Sequence, residues 1–213
     1  MTEGNPYGYS KKVIIFATFN KIIMSTDIKS LKPGRLWYYF SEILKIPRPS
    51  KKEEKIAEYI LNFGKQLGLE TLKDEVGNVL IRKPATKGKE NVKSIVLQSH
   101  LDIVCEKNAN TIFDFEKDPI EAYIDNGWIK AKGTTLGADD GIGVATQLAI
   151  LEANDIPHGP IECFFTIDEE SGMTGAFGLK KDFLKSNILI NLDSEDEGEL
   201  FIGCAGGRDT TAK

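Results

Sequence analysis

One imidazole and several paired carboxylates are the residues of this chain whose types and spacing could do chemistry together. His100 and Asp102 follow Ile95-Val96-Leu97, Glu169-Glu170 follow Phe164-Phe165-Thr166, and Asp193 follows Ile188-Leu189-Ile190. Each apolar run reads as a short buried strand, so the acids fall just past strand C-terminal ends, where open α/β sheets place their sites. Asp139-Asp140 occupy a glycine-rich loop, Gly137-Ala138-Asp139-Asp140-Gly141, that leads into a helical pattern. Acidic clusters gathered at one end of a sheet repel one another unless they are protonated or neutralised by a cation. The pattern therefore predicts a site for a divalent metal.

Taken singly, each piece has a plainer reading. A histidine in an H-x-D setting is more often packed or hydrogen-bonded than ligating, and adjacent acidic pairs usually lie on solvated surface. His158, between Pro157 and Gly159, reads as a loop residue with no part in a site. Residues 193 to 199 imitate a calcium loop with Gly198 at its sixth position, but the twelfth position is Cys204 where glutamate is needed. Signatures of serine hydrolases and phosphate-cradling loops, G-x-S-x-G and the P-loop, are absent.

The elements that must position these residues are legible in the hydrophobic periodicity. Leu36, Tyr39, Phe40, Ile43 and Leu44 predict a helix over residues 34–46 that Pro47 and Pro49 stop. A second helix over 52–68 carries Ile56, Tyr59, Ile60 and Phe63 on one stripe, with Ser50 as its cap and Gly68 at its end. Glu70 to Lys73 and Asn78 to Arg82 flank a turn at 74–77, and Ser94 to Gln98 is a strand running into His100. Residues 121–131 form a hairpin around Asp125-Asn126-Gly127. Ile142, Ala145, Leu148, Ala149 and Ala153 predict a helix, in a segment that Pro157 ends. Ile161 to Ile167 is a strand, Thr174 to Leu184 a helix, Ile188 to Leu192 a buried strand, and Glu199 to Ile202 the start of one more. This alternation predicts an α/β fold with a mixed central sheet and helices on both faces. No linker divides residues 34–213, and residues 24–213 read as one unit.

Composition narrows the function. Of 213 residues 41% are hydrophobic, enough for a sizeable core. With 27 basic and 32 acidic residues the net charge is -5, and no Lys/Arg-rich stretch stands apart, which argues against nucleic acid and anionic membranes as partners. Cys105, Cys163 and Cys204 are odd in number and never form C-x-x-C, which suits a reducing cytoplasm better than a disulfide framework. The apolar run Val13 to Phe19 is too short for a membrane span and lacks a cleavage site. Residues 1–23, ahead of Met24, are expected to be a poorly packed upstream extension.

Taken together and in order, Ser99-His100-Leu101-Asp102, Gly137 to Gly141, Asp168-Glu169-Glu170-Ser171-Gly172-Met173 and Asn191-Leu192-Asp193 resemble the co-catalytic di-zinc peptidase clan that includes carboxypeptidase G, peptidase T and the aminoacyl-histidine dipeptidases. The resemblance covers essentially all of residues 30–207. Ile46-Pro47-Arg48-Pro49-Ser50, residues 100–105 and 134–143, His158-Gly159-Pro160-Ile161-Glu162 and residues 191–198 are most similar to the aminoacyl-histidine dipeptidases, also called cytosol non-specific dipeptidases.

Carried over position by position, the resemblance makes His100 and Asp193 terminal ligands of one zinc, Glu170 a ligand of a second, and Asp139 the bridge between them. Manganese or cobalt could replace zinc in such a donor set. Asp102 would accept the other imidazole N–H and orient the ring. Glu169 would be the general base that takes a proton from water and passes it to the leaving amine. The implied activity is hydrolysis of dipeptides, above all Xaa-His, and the resemblance leaves room for a homodimer of the intact parent.

The family pattern also calls for a further histidine and an inserted lid, and neither is found among these residues, whose only histidines are His100 and His158. The expectation is therefore an N-terminal part of the catalytic domain, with one firm zinc site and no activity on its own. A non-catalytic zinc- or partner-binding module and a tripeptide-cleaving aminopeptidase are the alternatives.

Overall fold

The structure, a computed structural model, describes residues 27–194, 198–203 and 210. The expected extension at residues 1–23, and Cys204, lie outside the described residues. Helices α1 (Gly34–Ile43) and α2 (Glu54–Gln66) form where the periodicity places them. They bury Tyr39, Phe40 and Ile43 from one and Ile56, Ala57, Ile60 and Leu61 from the other, positions three and four apart that share one helical face. Tyr39 and Phe63 join the two helices edge to face, with ring centroids 5.3 Å apart. At the end of α2, Gly68 takes φ +69°, and the amides of Gly68 and Leu69 return to the carbonyls of Lys65 and Gly64, each at 3.0 Å. This double closure is the Schellman arrangement, for which glycine is the unstrained residue.

The sheet has the order β1-β2-β6-β3-β7, with β1 (Glu70–Lys73), β2 (Val79–Lys83), β3 (Ile95–His100), β6 (Ile161–Thr166) and β7 (Leu189–Asn191). β1, β2 and β6 pair antiparallel in succession, whereas β3 runs parallel to both β6 and β7. A separate hairpin of β4 (Ala122–Asp125) and β5 (Trp128–Ala131) turns through Asn126 and Gly127 at φ +49° and +82°, the positive pair a two-residue type I′ turn requires. Alternation along the strands separates the faces of the main sheet. Val79, Ile81, Leu97, Cys163 and Phe165 face the main core, which also contains buried residues of α1, α2 and α3 (Ala138–Glu152), while Leu80, Val96 and Phe164 face Leu179, Phe183 and Leu184. The fold is thus mixed α/β, with three long helices on one face and the segment after α4 (Thr174–Phe177) covering the other.

Four local expectations change. Ser50 does not cap α2, whose preceding residue is Glu53 and has no capping side chain; Ser50 donates instead to Asp102. The helix expected over 174–184 stops at Phe177, because Leu179, Phe183 and Leu184 must leave a helical path to lie on the sheet. β7 forms but is exposed, since it is the sheet edge among the described residues. Residues 199–202 are described without a strand.

α3 packs against β3 and α1 and ends at Glu152, ahead of Pro157. Its last carbonyls are held by Lys83 of β2, which donates to Ile150 and Leu151 at 2.8 and 3.0 Å and also to Ala153. A cation here satisfies orphan acceptors and opposes the negative end of the helix dipole. Lys83→Met keeps the apolar stem but strands these acceptors, and is expected to cost about 1–3 kcal/mol in urea unfolding. An unchanged midpoint would show that water serves them equally well.

Candidate metal centre

The site residues meet because three neighbouring strands are parallel. His100 lies opposite Thr166 and Gln98 opposite Asn191, so β6, β3 and β7 end at one edge of the sheet. The segments leaving those ends carry Asp168 to Glu170, Asp102 and Asp193. Asp139 and Asp140 reach the same edge from the first turn of α3, after Gly137 at φ +69°, and a cis peptide bond joins them.

His100 is 1% exposed. Its Nε2 lies 2.8 Å from Asp139 Oδ1 and 3.8 Å from Asp193 Oδ2. Its Nδ1 lies 3.3 Å from Asp102 Oδ1, within ion-pair reach but off the line of a well-formed hydrogen bond. Two groups of potential ligand atoms share the imidazole, each within 4.8 Å of one another: His100, Asp139 and Asp193, and His100, Glu169 and Glu170. These two groups bring together His100, Asp139, Glu169, Glu170 and Asp193, and Asp102 adjoins them on the Nδ1 side of the imidazole.

Asp102 is the hub of the buried side. It accepts from Ser50 Oγ at 2.7 Å and from the amides of Glu169 and Glu170 at 3.0 and 3.1 Å. Burial favours its neutral form, yet the facing His100 imidazole, the Ser50 hydroxyl and those amides outweigh burial and hold it at about 2. One carboxylate thus fixes both the imidazole and the backbone of the two glutamates. Burial opposes the charged form of His100 as well, but the Asp102 and Asp139 carboxylates on either side of the ring prevail and raise it to about 9. Asp140 turns inward, accepting the amides of His100 and Gly143 at 3.2 and 3.1 Å, and burial, reinforced by Asp193, lifts it to about 7. Glu170 and Asp193 are raised too, by burial and then by Asp139 facing them.

Three further residues set the loop that bears the glutamates; Glu53 and Asn78 were given no site role from the sequence, and Asp168 stood in a quoted motif without a role of its own. Glu53 accepts the amide of Asp168 at 2.9 Å. Asn78 accepts the amide of Ile167 at 3.2 Å and donates to the carbonyl of Gly175 at 2.9 Å, pinning both ends of the turn. Asp168, at φ +52°, accepts from the hydroxyls of Ser171 and Thr174, which hold it in this unfavourable left-handed region. Glu53, Asp102 and Asp168 form a third, fully buried acidic group behind the first two. Only the D-x-x-S-x-x-T spacing of 168–174 hinted at any of this.

The donor set fits a borderline divalent cation: one imidazole nitrogen, carboxylate oxygens at the same edge, and a carboxylate behind the ring to fix its tautomer. Carboxyls raised by burial and by a facing carboxylate are groups that a cation would relieve. His158 stays outside the cluster, paired with Thr86 in the loop before β6.

Residues 96–207 match the sequence profile of the family described as Peptidase family M20/M25/M40. The chain is 54% identical over 187 residues to the cytosol non-specific dipeptidase of Escherichia coli (strain K12), covering 88% of this chain and 39% of that protein. Its fold matches the crystal structure of aminoacylhistidine dipeptidase from Vibrio alginolyticus with a TM-score of 0.83 at 54% identity, over 84% of this chain and 37% of that one. The aminopeptidase PepT structure from Bacillus cereus ATCC 10987 aligns with a TM-score of 0.65 at 30% identity, over 76% of this chain and 43% of that one. The chain thus spans about two fifths of the length of the relatives it matches.

Proposed function

The chain belongs to peptidase family M20/M25/M40, and from that premise we propose that its residues form part of the catalytic centre of a cytoplasmic metallodipeptidase acting on dipeptides, favouring those that end in histidine. The observation that carries this reading is the meeting of His100, Asp139, Asp193, Glu169 and Glu170 at one sheet edge, with Asp102 behind the imidazole. The names of the relatives at 54% identity support the substrate class. Free Cys105 and Cys163 suit the cytoplasm, and no helix among the described residues is long and apolar enough to cross a membrane.

In this reading His100, Asp193 and Asp139 would hold one zinc, and Asp139 and Glu170 would contribute to holding a second. Bound divalent cations supply Lewis acidity, polarising a peptide carbonyl and acidifying water. Asp102 keeps the imidazole turned toward the ligand cluster through Nδ1, and Glu170 is held by its amide on the same carboxylate. Glu169, half-buried and tethered by its own amide to Asp102, accepts a proton from the attacking water on its carboxylate. It then delivers that proton to the amine nitrogen as the C–N bond breaks, so protons balance across the step.

The test is hydrolysis of Xaa-His dipeptides and of tripeptides by a chain carrying this sequence at the length of its relatives. Dipeptide cleavage that disappears on chelation and returns with zinc is expected. Cleavage of tripeptides alone would move the reading to an aminopeptidase, and metal binding without turnover would favour a non-catalytic module.

A further inference from the structure

We propose that Arg48 is a positioning residue of the metal centre, its guanidinium clamping the end of β3 to the loop that presents Asp139. The inference rests on the metal reading above. Arg48 sits between Pro47 and Pro49 in the link from α1 to α2, with nothing in its local sequence to place it inside the protein, yet it is 1% exposed. Its Nη1 donates to the carbonyls of Leu101 at 2.8 Å and Asp102 at 3.2 Å, and its Nη2 donates to the carbonyl of Gly137 at 2.6 Å. One planar fork therefore joins the segment just after His100 to a carbonyl two residues before Asp139. The two residues so aligned are the pair whose Nε2 and Oδ1 lie 2.8 Å apart.

Two independent features indicate that the loop is built around this guanidinium. A Cβ at Gly137 would lie 2.8 Å from Nη2, and one at Gly141 would lie 2.6 Å from it, so both glycines bounding the Asp139-Asp140 loop leave room for Arg48. The arginine segment is itself set in register with the end of β3 by a parallel bridge between Pro49 and Ile103. The partners of Arg48 are backbone carbonyls, and no carboxylate among the described residues bonds to it directly, though Asp102, Asp139 and Asp140 are all close enough to feel its charge. A lysine would keep that charge but lose the fixed fork that spans two backbone segments.

The test is cobalt(II) binding to this chain, read from the visible absorption of the bound ion, beside thermal unfolding of the same samples. Arg48→Lys is expected to stay folded, bind cobalt at least about tenfold more weakly, the lower range for losing a residue that orients ligands, and show a shifted absorption band. Gly141→Ala keeps the arginine but displaces its guanidinium, and is expected to change affinity and band in the same direction. It serves as the deciding variant if Arg48 substitutions do not fold. Unchanged affinity and spectrum in the folded variants, with only the melting temperature lowered, would make Arg48 a purely structural residue and overturn the proposal. Absence of cobalt binding by the unsubstituted chain would overturn the metal reading and this inference together.

Discussion

Glu169→Gln, in an enzyme of the relatives' length, is expected to lower turnover by about 10² to 10⁴-fold, the usual contribution of a general base, and to leave the bound metal unchanged. The glutamine is isosteric, and the main-chain tether of residue 169 to Asp102 at 3.0 Å does not depend on the side chain. The site should therefore keep its shape and lose only its proton acceptor. Glu170→Gln is the paired control. Its carboxyl is raised by burial and by Asp139, as expected of a group that shares a cation with that neighbour, so metal should be lost together with activity. Metal analysis and steady-state kinetics on both variants separate the roles. Metal lost from Glu169→Gln and retained by Glu170→Gln would reverse them.

His100→Ala is expected to remove firm metal binding from the 213-residue chain, weakening zinc by more than about 100-fold, because losing a ligand exceeds the 10–100-fold cost of losing a ligand's hydrogen-bond partner. The unsubstituted chain is expected to hold one zinc firmly through His100, Asp139 and Asp193. A second site on Asp139 and Glu170 has no imidazole of its own, so it should bind weakly, and no dipeptide should turn over. With no cation bound His100 is raised to about 9, so at neutral pH zinc must displace its proton. Proton and metal compete, and affinity therefore climbs as pH rises from 6 and levels off above about 9, with proton release on binding. Zinc content after dialysis, titration calorimetry in buffers of different ionisation enthalpy, and a dipeptide assay on one sample check all three. Two firmly held zincs with turnover would show that a group other than Asp139 and Glu170 completes the second site.

Much of the fold is written in local patterns. The three- and four-residue spacing of apolar side chains over 34–46 and 52–68 reports which helical face is buried, and α1 and α2 bury that face. The Asn126-Gly127 pair marks its hairpin because few other residues accept two successive positive φ angles. The cluster was legible too, because a side chain just after the end of a parallel strand has few other places to go. His100 closes β3, and Asp102, Glu169, Glu170 and Asp193 all follow such ends.

Other features had no local signal. Ser50 stands where a helix cap should, and only the packed chain reveals that its hydroxyl belongs to Asp102, 52 residues away. Arg48 looks like a solvated loop cation, and its partners lie 53, 54 and 89 residues along the chain. The helix expected after Thr174 is cut short because Leu179, Phe183 and Leu184 gain more by covering Leu80, Val96 and Phe164 than by further turns of a short helix. By itself the sequence determined most of the helices and strands, which acids lie near strand ends, and hence the kind of chemistry they could share. Only the tertiary structure decided which buried polar groups hold those acids in place, because a buried donor or acceptor must find a partner wherever the folded chain supplies one, and that distance along the sequence leaves no periodic trace.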